Sequence, residues 1–305
     1  MSSCEVTAIL VNYNAGRDLL FALQSIADDL AGRSWEAIVV DNASSDGSGA
    51  AVAAFAPHAR LLQNQDNVGF GRGVNQGLAA ASAPLVLIMN PDCRLTPGAF
   101  NALRTELEQF PACAIAGPKI VDPDGSVQGN ARGDPDMFTG LFGRTAMLRR
   151  FLPNLGVSRR NVVGDVAVED GRASVVVDWL SGACMLARRD ALLVVGGFDE
   201  RYFLYWEDAD VCRRLRARGF HVRYAPHAIA VHRVGHSSRQ VKAAAIRAFH
   251  ESAYLYYATH VAPTAWPKRM LARILLGIRC RIYLRFGGHD TPAPLADPRS
   301  SSVPH

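Results

Sequence analysis

Short β-branched and apolar runs alternate with amphipathic segments through the first 117 residues, and this alternation limits the folds open to the chain. Residues 6–11 form a continuous apolar run, which is typical of a strand buried on both faces. The spacing of Leu19, Leu23 and Ile26 predicts a helix from about residue 16 to residue 30. Further strands are predicted at residues 37–40, 60–63, 85–89 and 112–116, with helices at 73–81 and 97–110. This order indicates an α/β fold with a mostly parallel sheet flanked by helices.

The pattern changes after Pro118. Asp122-Pro-Asp-Gly125 predicts a hairpin turn, and residues 128–172, rich in Gly, Arg and Pro, predict a long connection. The further elements predicted are a strand at 175–179, a helix at 207–218, short strands around Val222 and Ile229, and helices at 239–260 and 268–286. We therefore expect an α/β domain of residues 1–238, a basic helical extension of residues 239–288 and a disordered tail of residues 289–305.

Composition argues against several classes of protein. Hydrophobic residues make up 49% of the 305, but no apolar stretch reaches the roughly 18 residues that a spanning helix needs. The first residues have neither the basic start nor the apolar core of a signal peptide. The six cysteines have no metal-binding spacing. We therefore expect a cytoplasmic chain with reduced thiols.

Positive charge is concentrated near the end of the chain. The net charge is +5, yet residues 237–289 carry nine Lys and Arg against one acid, Glu251. Such a region indicates an anionic partner, either a membrane surface or nucleic acid. Nucleic acid is disfavoured, because the basic residues lie on predicted helices without interleaved aromatic residues and no nucleic-acid motif is present.

Polar motifs follow the first two predicted strands. Asn12-Tyr-Asn14 comes after the first, and the segment from Asp41 to Gly47 (Asp-Asn-Ala-Ser-Ser-Asp-Gly) comes after the second. Each motif taken alone is explained by capping of the next helix. Together at the ends of adjacent parallel strands, they suit hydrogen bonding to the edge of a base and to a ribose hydroxyl.

A Gly-rich segment, Asn67-Val-Gly-Phe-Gly-Arg-Gly-Val-Asn75, opens the next helix. It does not match the dinucleotide fingerprint, because Val74 stands where the last glycine belongs and the segment follows the third strand. A nicotinamide-dependent enzyme is therefore disfavoured. The helix start and Arg72 still offer donors for a diphosphate.

A candidate metal site lies at Asn90-Pro-Asp92, after a buried strand. A hard divalent cation needs oxygen ligands and keeps several waters while it bridges substrate phosphates, so one carboxylate is sufficient. The alternative is a turn residue that caps the helix near residue 97. His232, at the end of a predicted strand, is either a further ligand or a structural histidine.

Two acidic residues, Glu207 and Asp208, begin a predicted helix beside four aromatic residues. Apolar rings raise the proton affinity of a carboxylate, which suits a general base. Asp210 is assigned to structure, because it is spaced for an i,i+4 ion pair with Arg214.

Taken in order, these motifs resemble the inverting family 2 glycosyltransferases of the glycosyltransferase-A fold, and among them bacterial rhamnosyltransferases. The resemblance covers residues 6–238. The motifs that carry it are Val11-Asn-Tyr-Asn14, Val40-Asp-Asn-Ala-Ser-Ser-Asp-Gly47, Asn67-Val-Gly-Phe-Gly71 with Asn75, Asn90-Pro-Asp92, Trp179-Leu-Ser-Gly-Ala183, and Gly197-Phe-Asp-Glu200 with Trp206-Glu-Asp-Ala-Asp210.

The resemblance implies roles for individual residues. Asp92 would hold Mg²⁺ or Mn²⁺ against the diphosphate of a nucleotide sugar, with His232 as a further candidate ligand because Asn90 replaces the first Asp of the usual Asp-x-Asp motif. Asp208 would be the base, and Glu207 would orient it or bind the acceptor. The residues expected at the donor nucleotide are Val11, Asn14, Asp41, Asn42, Asp46, Arg72, Asn75 and Asn90, and Asp41 would accept a hydrogen bond from the pyrimidine. The residues expected at the sugar and acceptor pocket are Trp179, Ser181, Gly182 and Trp206.

The implied reaction is a single displacement that moves L-rhamnose from dTDP-rhamnose to a saccharide or polyprenyl-diphosphate-linked acceptor in cell-surface polysaccharide synthesis. The alternatives are transfer of galactofuranose or a hexosamine from a UDP donor, and a non-catalytic nucleotide-sugar-binding subunit. A sugar-nucleotide pyrophosphorylase is disfavoured, because the first strand is not followed by a Gly-rich basic loop. A lipid-linked acceptor would give the C-terminal helices a peripheral place on the inner face of the membrane. The alternative for them is a solvated helix packed on the domain.

Overall fold

The computed structural model describes residues 4–55, 58–134, 174–233 and 242–286. The first half alternates strands and helices as predicted. In chain order its elements are β1 (Val6–Asn12), α1 (Asp18–Asp29), β2 (Trp35–Asp41), a 3₁₀ segment (Ser48–Phe55), β3 (Ala59–Gln63), α2 (Phe70–Ala80), β4 (Leu85–Met89), β5 (Cys93–Leu95), α3 (Ala99–Gln109) and β6 (Cys113–Val121).

The second half of the chain begins with short strands and ends with longer helices. The elements are β7 (Val127–Gln128), β8 (Ala131–Arg132), β9 (Val175–Val177), β10 (Trp179–Leu180), β11 (Cys184–Arg188), α4 (Arg189–Val194), α5 (Glu207–Arg216), β12 (His221–His232), α6 (Lys242–Tyr256), a π turn (Tyr257–Val261) and α7 (Trp266–Phe286). The predicted hairpin turn is confirmed, since β6 and β7 pair antiparallel on either side of it. Most of the predicted connection at 128–172, the boundary at residue 238 and the tail at 289–305 lie outside the described residues.

The main sheet has the strand order β3-β2-β1-β4-β11-β6-β12-β5. The pairs β3–β2, β2–β1, β1–β4 and β6–β12 are parallel, whereas β11 runs antiparallel to both of its neighbours. Strand order reverses at β1, which lies between β2 and β4. Because open α/β sheets bind ligands where the order reverses, the carboxyl ends of β1 and β2 are the expected place for a site.

The core covers both faces of the sheet. Every residue of β1 is buried, as the apolar run predicts. The predicted face of α1 packs inward through Leu19, Leu23 and Ile26. On the opposite face α2 lies close to β1, and a Cβ at Gly77 would come within 2.5 Å of the Ile9 side chain. A helix this close requires glycine at the contact.

Three features of the sheet differ from the sequence prediction. The strands β5 and β11 were not predicted; β11 is buried along nearly its whole length, so it has no alternation of polar and apolar residues. The two strands predicted around Val222 and Ile229 are one strand, β12. Its pairing with β6 shifts register between Ala225 and Ile229, on either side of Pro226, and this irregularity explains why the sequence pattern is interrupted.

The C-terminal helices are present as predicted. Helix α7 buries Ala272 and Leu276 and leaves larger apolar side chains exposed, among them Met270, Ile274, Ile278 and Ile282. Within the described ranges, no helix combines the length and the apolar character needed to cross a bilayer.

Candidate active site

The ends of β1 and β2 meet at a buried polar cluster. Asn12 and Asp41 are register partners, and Asn12 Nδ2 donates to Asp41 Oδ1 at 2.6 Å and to Ser48 Oγ at 2.8 Å. The backbone N–H of Ser44 donates to Asp41 Oδ2 at 3.0 Å. A cavity of about 440 Å³ lies beside Asp41 and is lined also by Val52 and Leu61. The structure therefore brings the predicted Asp41 to the edge of a cavity.

The loops after both strands are held by their own side chains. Asn14 has a positive φ of 53°, which asparagine tolerates, and its Oδ1 accepts from the Ser45 backbone N–H at 2.8 Å. Asp46 accepts from the Gly16 N–H at 2.7 Å and the Ser48 hydroxyl at 2.6 Å. Partial burial acts to raise the pKa of Asp46, but these hydrogen bonds outweigh it and lower the pKa. Asp46 is thus held as a carboxylate.

Asn42 joins the second of these loops to the Gly-rich segment. Its Nδ2 donates at 3.2 Å to both Asn67 Oδ1 and the Gly69 carbonyl. Gly69 has a φ of 88°, and a Cβ there would lie 2.4 Å from the Phe203 carbonyl oxygen. The next residue, Phe70, donates its N–H to that same oxygen at 2.9 Å. The Gly-rich segment, which Asn42 ties to the loop after β2, is therefore in direct contact with Phe203, shortly before the acidic pair Glu207 and Asp208.

Two residues of α2 that are predicted to bind the donor nucleotide, Arg72 and Asn75, face the segment around Phe198. Arg72 is exposed, with Nε 3.7 Å from a Glu200 carboxylate oxygen. The Asn75 amide makes two hydrogen bonds at 2.8 Å to the backbone of Phe198, donating from Nδ2 and accepting at Oδ1. These bonds give Asn75 a structural contact, and its predicted role at the nucleotide stays a prediction.

Asp92 and His232 face each other across β5 and β12. His232 Nε2 lies 3.2 Å from Asp92 Oδ1, and Asn90 Nδ2 lies 3.5 Å from the same ring nitrogen. Both side chains of the pair are largely buried. Burial acts to lower the pKa of His232, but the hydrogen bond and charge of Asp92 outweigh it and raise the pKa. The structure therefore joins the two residues that the sequence predicted as metal ligands.

Gln128 orients His232 and was missed by the sequence analysis. The His232 Nδ1–H donates to Gln128 Oε1 at 3.0 Å, while Gln128 Nε2 donates to Asp122 Oδ1 at 2.9 Å and to the His232 carbonyl at 2.8 Å. This arrangement directs Nε2 toward Asp92. The predicted hairpin turn was the available signal, because it pairs β7 with β6, but it does not indicate a contact with a residue 104 positions away.

The acidic pair follows a turn with unusual backbone geometry. Tyr205 and Trp206 both have positive φ, 67° and 72°, and α5 begins at Glu207. Asp208 Oδ2 accepts from the Gly182 N–H at 3.0 Å, and a Cβ at Gly182 would lie 3.6 Å from Asp208 Cβ. The predicted base and the predicted pocket residue Gly182 are therefore adjacent.

Glu207 is almost fully buried, and its Oε2 has no hydrogen-bond partner among the residues that the structure describes. Burial raises its pKa well above 4.5, and the neighbouring charge of Asp208 adds to the rise. The predicted rise in proton affinity is therefore found at Glu207.

Of the remaining pocket residues, Trp206 directly precedes α5, whereas Trp179 lies in β10 and Ser181 follows it. Trp179 donates from Nε1 to the Gly133 carbonyl at 3.0 Å, and the Ser181 N–H donates to the Asn130 carbonyl at 3.0 Å. The Trp206 ring packs against α6, with ring centroids 5.3 Å from Tyr256 and 5.9 Å from Phe249.

The structural role predicted for Asp210 is confirmed, because Arg214 Nε lies 2.7 Å from its Oδ2. His260 Nε2 makes a second contact with Asp210, at 2.6 Å from Oδ1. No sequence signal connects His260 with Asp210, since 50 residues separate them.

Comparison with known proteins identifies the family. Residues 7–161 match the family described as Glycosyl transferase family 2, and residues 85–249 match Glycosyl transferase family group 2. The chain belongs to glycosyltransferase family 2. This glycosyltransferase is 35% identical over 294 residues to the N-acetylglucosaminyl-diphospho-decaprenol L-rhamnosyltransferase of Mycobacterium tuberculosis strain H37Rv, across 91% of this chain and 92% of the relative. It is 35% identical over 104 residues to rhamnosyltransferase WbbL of Escherichia coli K12, across 34% of this chain and 38% of the relative.

Solved structures confirm the predicted glycosyltransferase-A fold. GalNAc-T7 with UDP, GalNAc and Mn²⁺ matches with a TM-score of 0.55 and 12% identity, over 93% of this chain and 56% of that chain. The mannosyltransferase PcManGT from Pyrobaculum calidifontis, in complex with GDP-Man and Mn²⁺, matches with a TM-score of 0.52 and 18% identity, over 94% of this chain and 80% of that chain.

Proposed function

We propose that this glycosyltransferase moves L-rhamnose from dTDP-rhamnose to a polyprenyl-diphosphate-linked N-acetylglucosamine, with inversion, in the synthesis of a cell-surface polysaccharide. The similarity to the M. tuberculosis relative carries the proposal, because it extends over 91% of this chain and 92% of that protein. That relative is named as an L-rhamnosyltransferase acting on N-acetylglucosaminyl-diphospho-decaprenol.

The acceptor hydroxyl attacks the anomeric carbon of the sugar while the bond to the nucleoside diphosphate breaks on the opposite face, through an oxocarbenium-like transition state. Asp208 takes the hydroxyl proton. Its orientation supports this role, because the Gly182 N–H fixes Oδ2 at 3.0 Å and the Ala209 N–H fixes Oδ1 at 2.8 Å. A positioned general base contributes about 10²–10⁴-fold to a rate.

Asp92 and His232 would hold a divalent cation, Mg²⁺ or Mn²⁺. The pair fits such an ion, because a carboxylate oxygen and a ring nitrogen already face each other at 3.2 Å and Gln128 fixes the ring. Two protein ligands leave coordination positions for water and phosphate oxygens. Among the residues that the structure describes, no group of three or more His, Cys, Asp or Glu suited to a metal is found. When bound, the cation would neutralise charge that develops on the departing diphosphate.

The donor nucleotide is assigned to the loops after β1 and β2. Asp41 accepts from the pyrimidine, and Asn14, Asn42 and Asp46 shape the loops around the ribose, with Val11 on β1 beside them. Support comes from the burial of Asp41 beside a cavity and from the hydrogen bonds that hold both loops. Arg72 and Asn90 extend this surface toward the diphosphate.

Two assays on the purified chain test the proposal. Asp208→Asn is expected to lower rhamnosyl transfer to a prenyl-diphosphate-linked N-acetylglucosamine by about 10²–10⁴-fold. Its Kd for dTDP, measured by calorimetry, should stay within about twofold of wild type, because Asp41 and its loops are unchanged. Asp28→Asn, an equivalent change at an exposed position on α1, serves as the control. Unchanged transfer by Asp208→Asn would refute the assignment of the base.

The donor is tested with wild-type protein and a panel of dTDP-rhamnose, UDP-galactofuranose and UDP-N-acetylglucosamine. Transfer from dTDP-rhamnose supports the proposal, and transfer from a UDP sugar alone replaces rhamnose by the other sugar. Binding of dTDP without transfer from any of the three identifies a non-catalytic nucleotide-sugar-binding subunit.

We also propose that α7 contacts the anionic inner face of the cell membrane, where a lipid-linked acceptor is located. Six basic residues and no acidic residue lie on this helix. A stripe of exposed apolar side chains at Met270, Ile274, Ile278 and Ile282 follows i,i+4 spacing. Basic charge beside exposed apolar side chains is typical of helices that lie in a membrane interface.

A further inference from the structure

The backbone just before the acidic pair is in a conformation that isolated chains avoid. Tyr205 and Trp206 are consecutive bulky residues whose backbone is in the left-handed conformation, and α5 begins directly after them. Such residues are uncommon outside glycine and persist where surrounding structure holds them. The position of Glu207 and Asp208 therefore depends on what holds this turn.

Helix α6 supplies many of the contacts to the turn. Ser252 Oγ donates to the Leu204 carbonyl at 3.0 Å. The Phe249 ring lies 5.8 Å from Tyr205 and 5.9 Å from Trp206, measured between ring centroids, and Tyr256 lies 5.3 Å from Trp206. The side chains of Tyr205 and Trp206 thus both pack on α6.

The π turn that ends α6 adds a polar contact to the first turn of α5. His260 Nε2 lies 2.6 Å from Asp210 Oδ1, and the Asp210 side chain is only 1% exposed. The backbone N–H of Asp210 donates to the Trp206 carbonyl at 2.9 Å. Arg213 reaches back from α5 to the His260 carbonyl at 3.2 Å. His260 lies within this π turn, a kind of segment that is rare in helices and frequent at functional sites.

We propose that α6 and its π turn hold the left-handed turn in place, and that His260 is a positioning residue for sugar transfer. The consequence for catalysis rests on the proposed role of Asp208. The alternative is that His260 only joins two helices, without effect on the geometry at residues 205–208.

The test compares His260→Phe, which keeps an aromatic ring but removes the donor to Asp210, with His260→Gln, whose amide can still donate. Amide hydrogen exchange reports the geometry independently of activity. We expect His260→Phe to raise exchange at residues 205–210 by about tenfold or more and to leave residues 6–12 of β1 unchanged. His260→Gln should stay within about threefold of wild type in the same segment.

Kinetics on the same proteins report the consequence. His260→Phe should lower kcat by about tenfold or more, while the Kd for dTDP stays within about twofold, because the loops after β1 and β2 are unchanged. His260→Gln, whose amide can still donate to Asp210, should keep a kcat close to that of wild type. Ser252→Ala, which removes the bond to the Leu204 carbonyl, is a second variant and should give the same local rise in exchange.

Three outcomes separate the proposals. Wild-type exchange in both His260→Phe and Ser252→Ala would overturn the positioning role, and so would an equal rise across the whole chain. A local rise in exchange with unchanged kcat would show that His260 holds the turn but is not a positioning residue for sugar transfer, and the Asp208→Asn assay tests the base independently.

Discussion

Glu207 and Asp208 are adjacent carboxyls in different environments. Asp208 receives two backbone N–H groups, whereas Glu207 is buried with one oxygen unpartnered within the described part of the chain. Because burial disfavours the charged form, the pKa of Glu207 is raised well above 4.5 in the folded protein. In the unfolded chain Glu207 is exposed to water, so burial does not raise its pKa.

This difference predicts a pH-dependent gain in stability for Glu207→Gln. Between its unfolded and folded pKa values the folded state binds more protons, so Glu207 reduces stability progressively as pH rises from about 4.5 through the folded pKa. Each pH unit in that window corresponds to about 1.4 kcal/mol. We expect the Tm of Glu207→Gln relative to wild type to be higher at pH 8 than at pH 5 by about 3 °C or more. Glu108→Gln, an exposed change on α3, should show no such trend, and an equal effect of both variants would contradict the explanation.

Gln128 allows a prediction about the metal. Partners that orient a ligating imidazole typically contribute 10–100-fold to metal affinity. Gln128→Leu should therefore weaken Mn²⁺ binding, measured by calorimetry without substrate, by about 10–100-fold. Gln24→Leu on α1 is the matched control, because Gln24 is exposed and its side-chain amide donates to Asp28 one turn along the helix. Unchanged Mn²⁺ affinity in Gln128→Leu would show that the ring needs no such support, or that His232 is not a ligand.

These residues show which positions the sequence could indicate and which it could not. Asp41 ends β2 and Asp92 follows the end of β4 by three residues, so the order of parallel strands predicts both at one edge of the sheet, and their roles in binding stay predictions. Gln128 and His260 were missed because their partners are distant in sequence and no local pattern marks either contact.

At the scale of elements, the close packing of α2 on β1 depends on missing side chains. A Cβ at Gly77 would lie 2.5 Å from Ile9 Cγ2, and Ile9 is fully buried within a central strand. Overpacking of this kind usually costs about 1–3 kcal/mol. Gly77→Ala should therefore lower the free energy of unfolding by about that amount.

Gly277→Ala is the matched control for this prediction. Gly277 lies within α7 with nothing near the position of a Cβ, so alanine there removes the cost of glycine in a helix, about 0.5–1 kcal/mol. Urea denaturation should show opposite signs for the two variants. A gain of stability in both variants would mean that helix propensity, and not the Ile9 contact, determines the result at Gly77. A loss in both would show that the loss at Gly77 is not specific to the Ile9 contact.

Elements with a repeating pattern could be predicted, and elements defined by their neighbours could not. Strand β1 and helix α1 follow from their own residues. Strand β11 becomes a strand because β4 and β6 lie on either side of it, and its five residues have no periodicity of their own. Local sequence carries no information about such insertions.

At the scale of the whole molecule, the C-terminal helices were predicted as an extension of the α/β domain, and the boundary at residue 238 stays a prediction. The structure adds that α6 packs on the turn before the acidic pair, while the outer face of α7 is left exposed. The extension therefore has two faces with different surroundings. Its charge was readable from composition, but the contact with the catalytic turn depends on tertiary packing.

The exposed face of α7 leads to a prediction about membranes. The chain should sediment with vesicles that contain an anionic phospholipid and much less with vesicles of phosphatidylcholine alone, because each Lys or Arg near an anionic surface contributes about 1 kcal/mol. Added salt should release it, since the Debye length falls from about 8 Å at 0.15 M to about 3 Å at 1 M.

The double change Ile274→Glu with Ile278→Glu should weaken binding by about tenfold or more, because burial of each isoleucine contributes about 1.5–3 kcal/mol. Arg60→Glu on β3 changes the net charge by the same amount without touching α7, and it should bind almost as wild type does. If both variants lose binding equally, net charge alone attracts the protein to the vesicle, and α7 is a solvated helix packed on α6.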